Sequence, residues 1–193
     1  LLACGGSIDK LRSVAAQFND NWDLVEERAD QRNRPLPPLD VSGILAALAD
    51  ISEIAEQCTT DDDKLLVHIT GKVREFEQAL RQAEDDERKL ELLTAPKLKK
   101  NAGQKGNWPE IEVAEVREML GDIQTACASL VTSVKDMVLQ ALAASLAVFT
   151  LEGAAKRRAA GELEYHDLLV LARAVLRDAD HGPAVREALS RRY

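Results

Sequence analysis

Apolar residues recur along this chain at three- and four-residue steps and almost nowhere alternate, so the pattern predicts helices. After Ser7 as N-cap, Ile8, Leu11, Val14, Ala15, Phe18, Trp22 and Val25 form one stripe, predicting a single helix of about six turns with Phe18 and Trp22 as core anchors. Prolines 35, 37 and 38 make residues 34–40 a rigid corner, with a Pro-rich ligand for a partner domain as the alternative. From Val41 a second helix runs through Ile44, Leu45, Leu48, Ile51, Ile54 and Cys58. Asp61, Asp62 and Asp63 suit the positive start of a third helix, which continues through Leu65, Leu66, Ile69, Val73, Phe76, Leu80, Leu90 and Leu93. Its middle, residues 82–89, is almost wholly charged, so this helix is predicted to project beyond the body.

A fourth helix starts at Pro109 and carries Ile111, Val116, Leu120, Ile123, Cys127, Leu130, Val134 and Val138 on to Phe149, with a kink or break expected within residues 141–153. Leu168, Leu169, Ala172, Val175 and Leu176 then mark an apolar face after the helix breaker Gly161, and Gly182-Pro183 starts a short last helix. The expected class is all-α: an elongated helical bundle with a long antiparallel helical hairpin, or arm, at about residues 62–150. An accessory helical domain would occupy residues 1–160, and residues 161–193 would follow as a separate helical segment.

Composition narrows the function. At 193 residues with a net charge of −8, the chain is not a nucleic-acid binder over its whole surface. Aromatics at 4% favour helices packed through aliphatic side chains over a sandwich or barrel. Cys4, Cys58 and Cys127 are isolated and the histidines lack zinc-ligand spacing, which points to a reducing, cytoplasmic setting without a structural metal. The longest uncharged run, residues 137–151, is too short and too polar for a bilayer, so no membrane partner is expected. Nor does any nucleotide-binding or nucleophile motif occur: Gly71-Lys72 lies inside a helical repeat, and residues 103–106 lack the required Ser or Thr. No catalytic residue is therefore expected.

One local exception to the acidic balance is the loop at residues 94–109, where Lys97, Lys99, Lys100 and Lys105 occur without an acid. Lysines neutralise phosphate without reading sequence. Trp108 at its end has two readings: stacking on a base, or packing against the next helix, the latter being the commoner use.

Gly161-Glu162-Leu163-Glu164-Tyr165-His166-Asp167-Leu168-Leu169 resembles a G-x-L-[DE]-[FY]-x-D-L-L run of superfamily 1A DNA helicases and helicase-nucleases, the UvrD/Rep and RecB/AddA group. Phe18-Asn19-Asp20-Asn21-Trp22-Asp23-Leu24 resembles a phrase in the inserted region of RecB-like members, and the lysine run leading to Trp108 is similar to another. Gly153 departs from the aromatic that many relatives place there.

The resemblance implies an excised accessory subdomain of the type called 1B, ending just before the strand that carries the Asp-Glu of the motor. ATP and magnesium would belong to that motor and not to this chain. Lys97, Lys99, Lys100, Lys105 and Trp108 would contact the DNA backbone of a duplex or fork. Leu163, Tyr165, Asp167, Leu168 and Leu169 would form the joint to the motor domains of the same parent chain. The alternative function is a helical protein–protein interaction domain. If the joint folds back on the bundle, Leu169→Asp should lower stability markedly.

Overall fold

The computed structural model describes residues 7–29, 35–98 and 101–192. Lys99, Lys100, Cys4 and Arg34 therefore lie outside the described residues. The class is all-α, as the apolar periodicity predicts, and the described residues contain no strand. They form two compact units, one made of Leu36–Val138 and the other of Gly6–Pro35 with Leu139–Tyr193. The helices are α1 (Ile8–Asp20), α2 (Trp22–Arg28), α3 (Ser42–Ile54), α4 (Lys64–His68), α5 (Arg74–Gln82), α6 (Asp86–Thr94), α7 (Val113–Ala160), α8 (Tyr165–Arg177) and α9 (Gly182–Arg192). Between α4 and α5 the chain makes one π turn, Ile69–Val73.

The first unit holds the larger core. Leu48 and Ile51 of α3 meet Leu65, Ile69, Val73 and Leu80 from the run α4 to α5, Leu93 of α6, and Val116, Leu120 and Cys127 of α7. The long limb of the expected hairpin is present as α7. The expected opposing helix is not continuous: it stops at Gln82, Ala83 turns extended, and Asp85 caps α6 by accepting from Arg88 N at 2.7 Å. The charged stretch thus holds a corner at residues 83–85 and is not a projecting shaft. The corner lets α6 return, so that Leu80, Leu90 and Leu93 all enter one core, and that burial outweighs the helix propensity of the charged stretch.

Helix α7 also departs from expectation at two places. It begins at Val113 rather than Pro109, and it passes unbroken through residues 141–153 to Ala160. Alanine and leucine are strong helix formers, and they carry the helix through Gly153. An 18-residue window of α7 reaches a mean hydropathy of 1.6, with 22% of it buried. By length and apolarity alone this helix meets the requirement for crossing a bilayer, although the expected uncharged run was too short.

In the second unit the single N-terminal helix expected from the stripe is two helices. Asn21 leaves helical geometry at φ −133° and its Nδ2 donates to Gln17 O at 2.9 Å, a local bond that competes with the helix ladder. As a result α1 contributes no fully buried residue, while Trp22, Asp23 and Val25 of α2 are buried. Phe18 is only partly buried, so of the two expected anchors Trp22 alone is a core residue. The apolar cluster is small: Trp22, Ala154 and Val170, with Leu151 against it.

Helix α8 turns Asp167 and Val170 inward and leaves Leu168 and Leu169 half exposed, at 51% and 50%. The condition for a marked effect of Leu169→Asp, that this face folds back on the bundle, is therefore not met at Leu169. Because an exposed leucine has little burial to lose, Leu169→Asp is expected to change unfolding free energy by no more than about 0.5 kcal/mol. A urea melt that shifts well beyond that would show Leu169 to be covered in solution.

Candidate functional site

The two phrases that carry the helicase resemblance meet in the second unit. Gly161, at φ +72°, ends α7 in the left-handed conformation that glycine adopts without penalty, and Glu162 N donates to Arg157 O at 3.0 Å. Glu164 then caps α8, and Asp167 in the first turn reaches back to accept from Glu164 N at 3.0 Å. The same carboxylate accepts a fork from Arg157, with Nε to Oδ2 at 2.9 Å and Nη2 to Oδ1 at 3.1 Å. A fourth donor is Trp22 Nε1, at 2.8 Å from Oδ1. Asp167 is fully buried, and every lone-pair direction it has is occupied.

The network continues outward from this centre. Arg157 Nη1 donates to Asn19 Oδ1 at 3.0 Å, and Arg158 lies over the Trp22 ring at 4.9 Å from its centroid. Beside it, Asp23 receives Arg173 Nη2 at 2.6 Å and sits 3.1 Å from His166 Nε2. The His166 ring meets Trp22 edge to face at 6.4 Å. Asn19, Trp22 and Asp23 of the first phrase thus contact Glu164, His166 and Asp167 of the second, across about 145 residues of sequence.

Electrostatics follow the geometry. The Arg157 hydrogen bond, set against burial, holds the Asp167 carboxyl down at about 2, and Arg157 is in turn raised by Asp167. Burial pushes Asp23 up, but hydrogen bonds from His166, Leu24 N and Arg173 outweigh it and leave Asp23 below its ordinary value. Asp167 in the folded chain lies below its unfolded value of 3.8, so its contribution is complete above pH 4 and is lost as pH falls through about 2. We expect the second unit to lose roughly 2 kcal/mol of stability between pH 4 and pH 2 from this group. Asp167→Asn should remove most of that acid dependence; an identical pH profile would show that the pair is not formed.

A second constellation fixes the lysine loop in the first unit. Asp63 caps α4 by accepting from Leu65 N at 2.8 Å and Leu66 N at 3.3 Å, and its other oxygen accepts from Gln104 N at 2.9 Å and Asn107 Nδ2 at 2.8 Å. Arg117 of α7 donates to Ala102 O and Gly103 O, both at 2.8 Å. Gly103 adopts φ +90°, and a Cβ there would stand 2.8 Å from Leu65 Cβ, so the close approach itself requires glycine. Lys97 and Lys105 are exposed, and Lys105 Nζ pairs with Glu112 at 3.0 Å.

Trp108 does not share their position. It is 3% exposed and packs in the first unit's core, so its candidate role of stacking on a base is corrected, and the packing alternative holds. Among the proposed joint residues only Asp167 is fully buried; Leu163 is half-buried, while Tyr165 is 76% exposed and Leu168 and Leu169 half exposed. Arg157, Arg173 and Arg117 were not singled out from sequence. Nothing in a helical repeat distinguishes an arginine that reaches a buried carboxylate from one that reaches water. No family model, curated protein or solved structure matches this chain.

Proposed function

We propose that this chain is an accessory, DNA-contacting helical subdomain of an ATP-dependent DNA helicase or helicase-nuclease of the UvrD/RecB type, without catalysis of its own. The observation that carries the reading is the hydrogen bond from Trp22 to Asp167, which joins the two phrases on which the resemblance rests. Such a buried, fully satisfied network suits a joint that must hold one geometry while an attached element works. Lys97 and Lys105, on a loop pinned by Asp63 and Arg117, supply phosphate-neutralising charge, with Lys99 and Lys100 adjacent in sequence. ATP and magnesium belong, in this reading, to the motor of the parent protein.

A protein-interaction role is favoured by a different observation: Tyr165, Leu168, Leu169 and Val175 of α8 all present large apolar surface. In the helicase reading this face belongs to the joint with the motor.

Fluorescence anisotropy of a forked duplex, titrated with the chain over a salt series, tests the DNA reading. Binding at low salt should weaken steeply as salt rises. Changing Lys97, Lys99, Lys100 and Lys105 together to Gln should flatten the slope by about 0.9 for each lysine that contacts phosphate. No binding at low salt, or an unaltered slope in the variant, would leave the interaction-domain reading in its place.

A further inference from the structure

Between the run α4 to π turn and the lysine loop, the first unit has a cleft of about 870 Å³ whose walls include Lys64, His68, Gly71, Lys72 and Asn101. We propose that this cleft seats a phosphodiester group of the nucleic-acid backbone, with Lys64 and Lys72 as its cationic contacts. The inference rests on the DNA reading above and extends it to residues outside the lysine loop.

Three observations bear on it. First, Lys64, His68 and Lys72 follow one another at four-residue steps on a continuous helical run and line the same cleft. The Lys64 side chain makes no ion pair or hydrogen bond among the described residues, and among them Lys72 Nζ pairs only with the exposed Glu75, at 2.6 Å. Lys97 also acts electrostatically on Glu75, so a second cation besides Lys72 lies near that carboxylate. The cleft also carries Asp62, an exposed carboxylate that an arriving anion must tolerate.

Second, the cleft is built before any ligand arrives. Asp63, 3% exposed, ties α4 to the loop wall through four donors, and Arg117 holds the carbonyls of Ala102 and Gly103. Fixed walls remove the ordering cost that a flexible loop would add to binding.

Third, Gly71 has no reason to be glycine in the fold itself. It lies inside the π turn, its φ is not left-handed, and an added Cβ would meet nothing within 4 Å. Glycine inside a helix costs about 1 kcal/mol relative to alanine. A bare backbone on a cleft wall is accounted for by close approach of a ligand, and π turns recur at functional sites.

The test uses the full chain, the same forked duplex, and the variants Lys64→Gln and Gly71→Leu. Leucine at position 71 enters open space and has better helix propensity, so its urea midpoint should equal or exceed that of the parent chain. Its DNA binding should nevertheless fall, and Lys64→Gln should lower the salt slope by about 1 for any DNA sequence. If both variants bind as the parent does while the loop-lysine variant is weakened, the cleft proposal is overturned and the DNA reading survives. If the parent chain does not bind DNA at all, both fall. If tripolyphosphate binds as tightly as DNA and is lost equally in the two variants, the cleft takes free phosphate and the phosphodiester assignment is wrong.

Discussion

Asp167→Ala is expected to unfold the second unit at markedly lower urea concentration, with a loss of about 3 kcal/mol or more. The carboxylate is fully buried and accepts from Trp22, twice from Arg157 and from Glu164 N. Removing it leaves an arginine and an indole N–H without their acceptor in a region that water reaches poorly, and one-sided removal of a buried pair typically costs about 3–5 kcal/mol. The guanidinium of Arg157 is 19% exposed and can recover part of its hydration, which places the estimate at the lower end. The apolar cluster of Trp22, Ala154 and Val170 is too small to compensate.

Tryptophan fluorescence can localise this effect, because the chain has two tryptophans and each unit holds one. Trp108 Nε1 has no hydrogen-bond partner among the described residues, so Trp108→Phe removes no bond seen there and leaves Trp22 as the reporter of the second unit. In that background Asp167→Ala should shift the Trp22 transition. Adding Arg157→Met should recover part of the loss, since an apolar side chain no longer needs the missing charge. A shift that Arg157→Met leaves unaltered would mean that the Arg157 pair is not what Asp167 contributes.

Asp63→Ala has the second-largest expected effect, roughly 3 kcal/mol in the first unit. Loss of a helix cap costs about 1 kcal/mol, and the donors on Gln104 and Asn107 would be left without their buried acceptor. The consequence reaches the lysine loop. With its acceptor gone, the segment around Gly103 loses the tie to α4, while the Arg117 bonds to Ala102 and Gly103 and the Thr59 bonds to Asn107 O remain. Amide exchange at Gln104 and Leu65 should accelerate well beyond the global change in stability. Slow exchange at Gln104 in the variant would show that the Arg117 and Thr59 bonds are sufficient without Asp63.

Much of the helix layout is legible in the residues. Ser7 caps α1 by accepting from Lys10 N, Asp63 stands where the acidic run predicts a helix start, and Gly161 and Gly182 lie at helix boundaries. The breaks at Asn21 and after Gln82 were missed because the apolar repeat stays in phase across both. Asn21 and Asp85 are helix-starting residue types, but periodicity taken alone overrides that signal. Hydrophobic spacing also cannot say whether a face is covered. Leu168 and Leu169 lie in the apolar repeat of α8, yet they are exposed, while Val170, outside that repeat, is buried.

What the sequence by itself determined is the all-α class, the presence of a long, mostly apolar helix after the basic loop, the loop itself, and the two phrases singled out at residues 18–24 and 161–169. These follow from local rules: spacing at 3.6 residues, capping chemistry, and glycine at positive φ. The tertiary structure alone decided that Trp108 packs inward, that the chain turns a corner at residues 83–85, and that Trp22, Arg157 and Asp167 form one centre. Burial depends on which face another element covers, and the strength of a charged hydrogen bond depends on how far its groups are removed from water. Both are set by residues distant in sequence, so no local pattern encodes them.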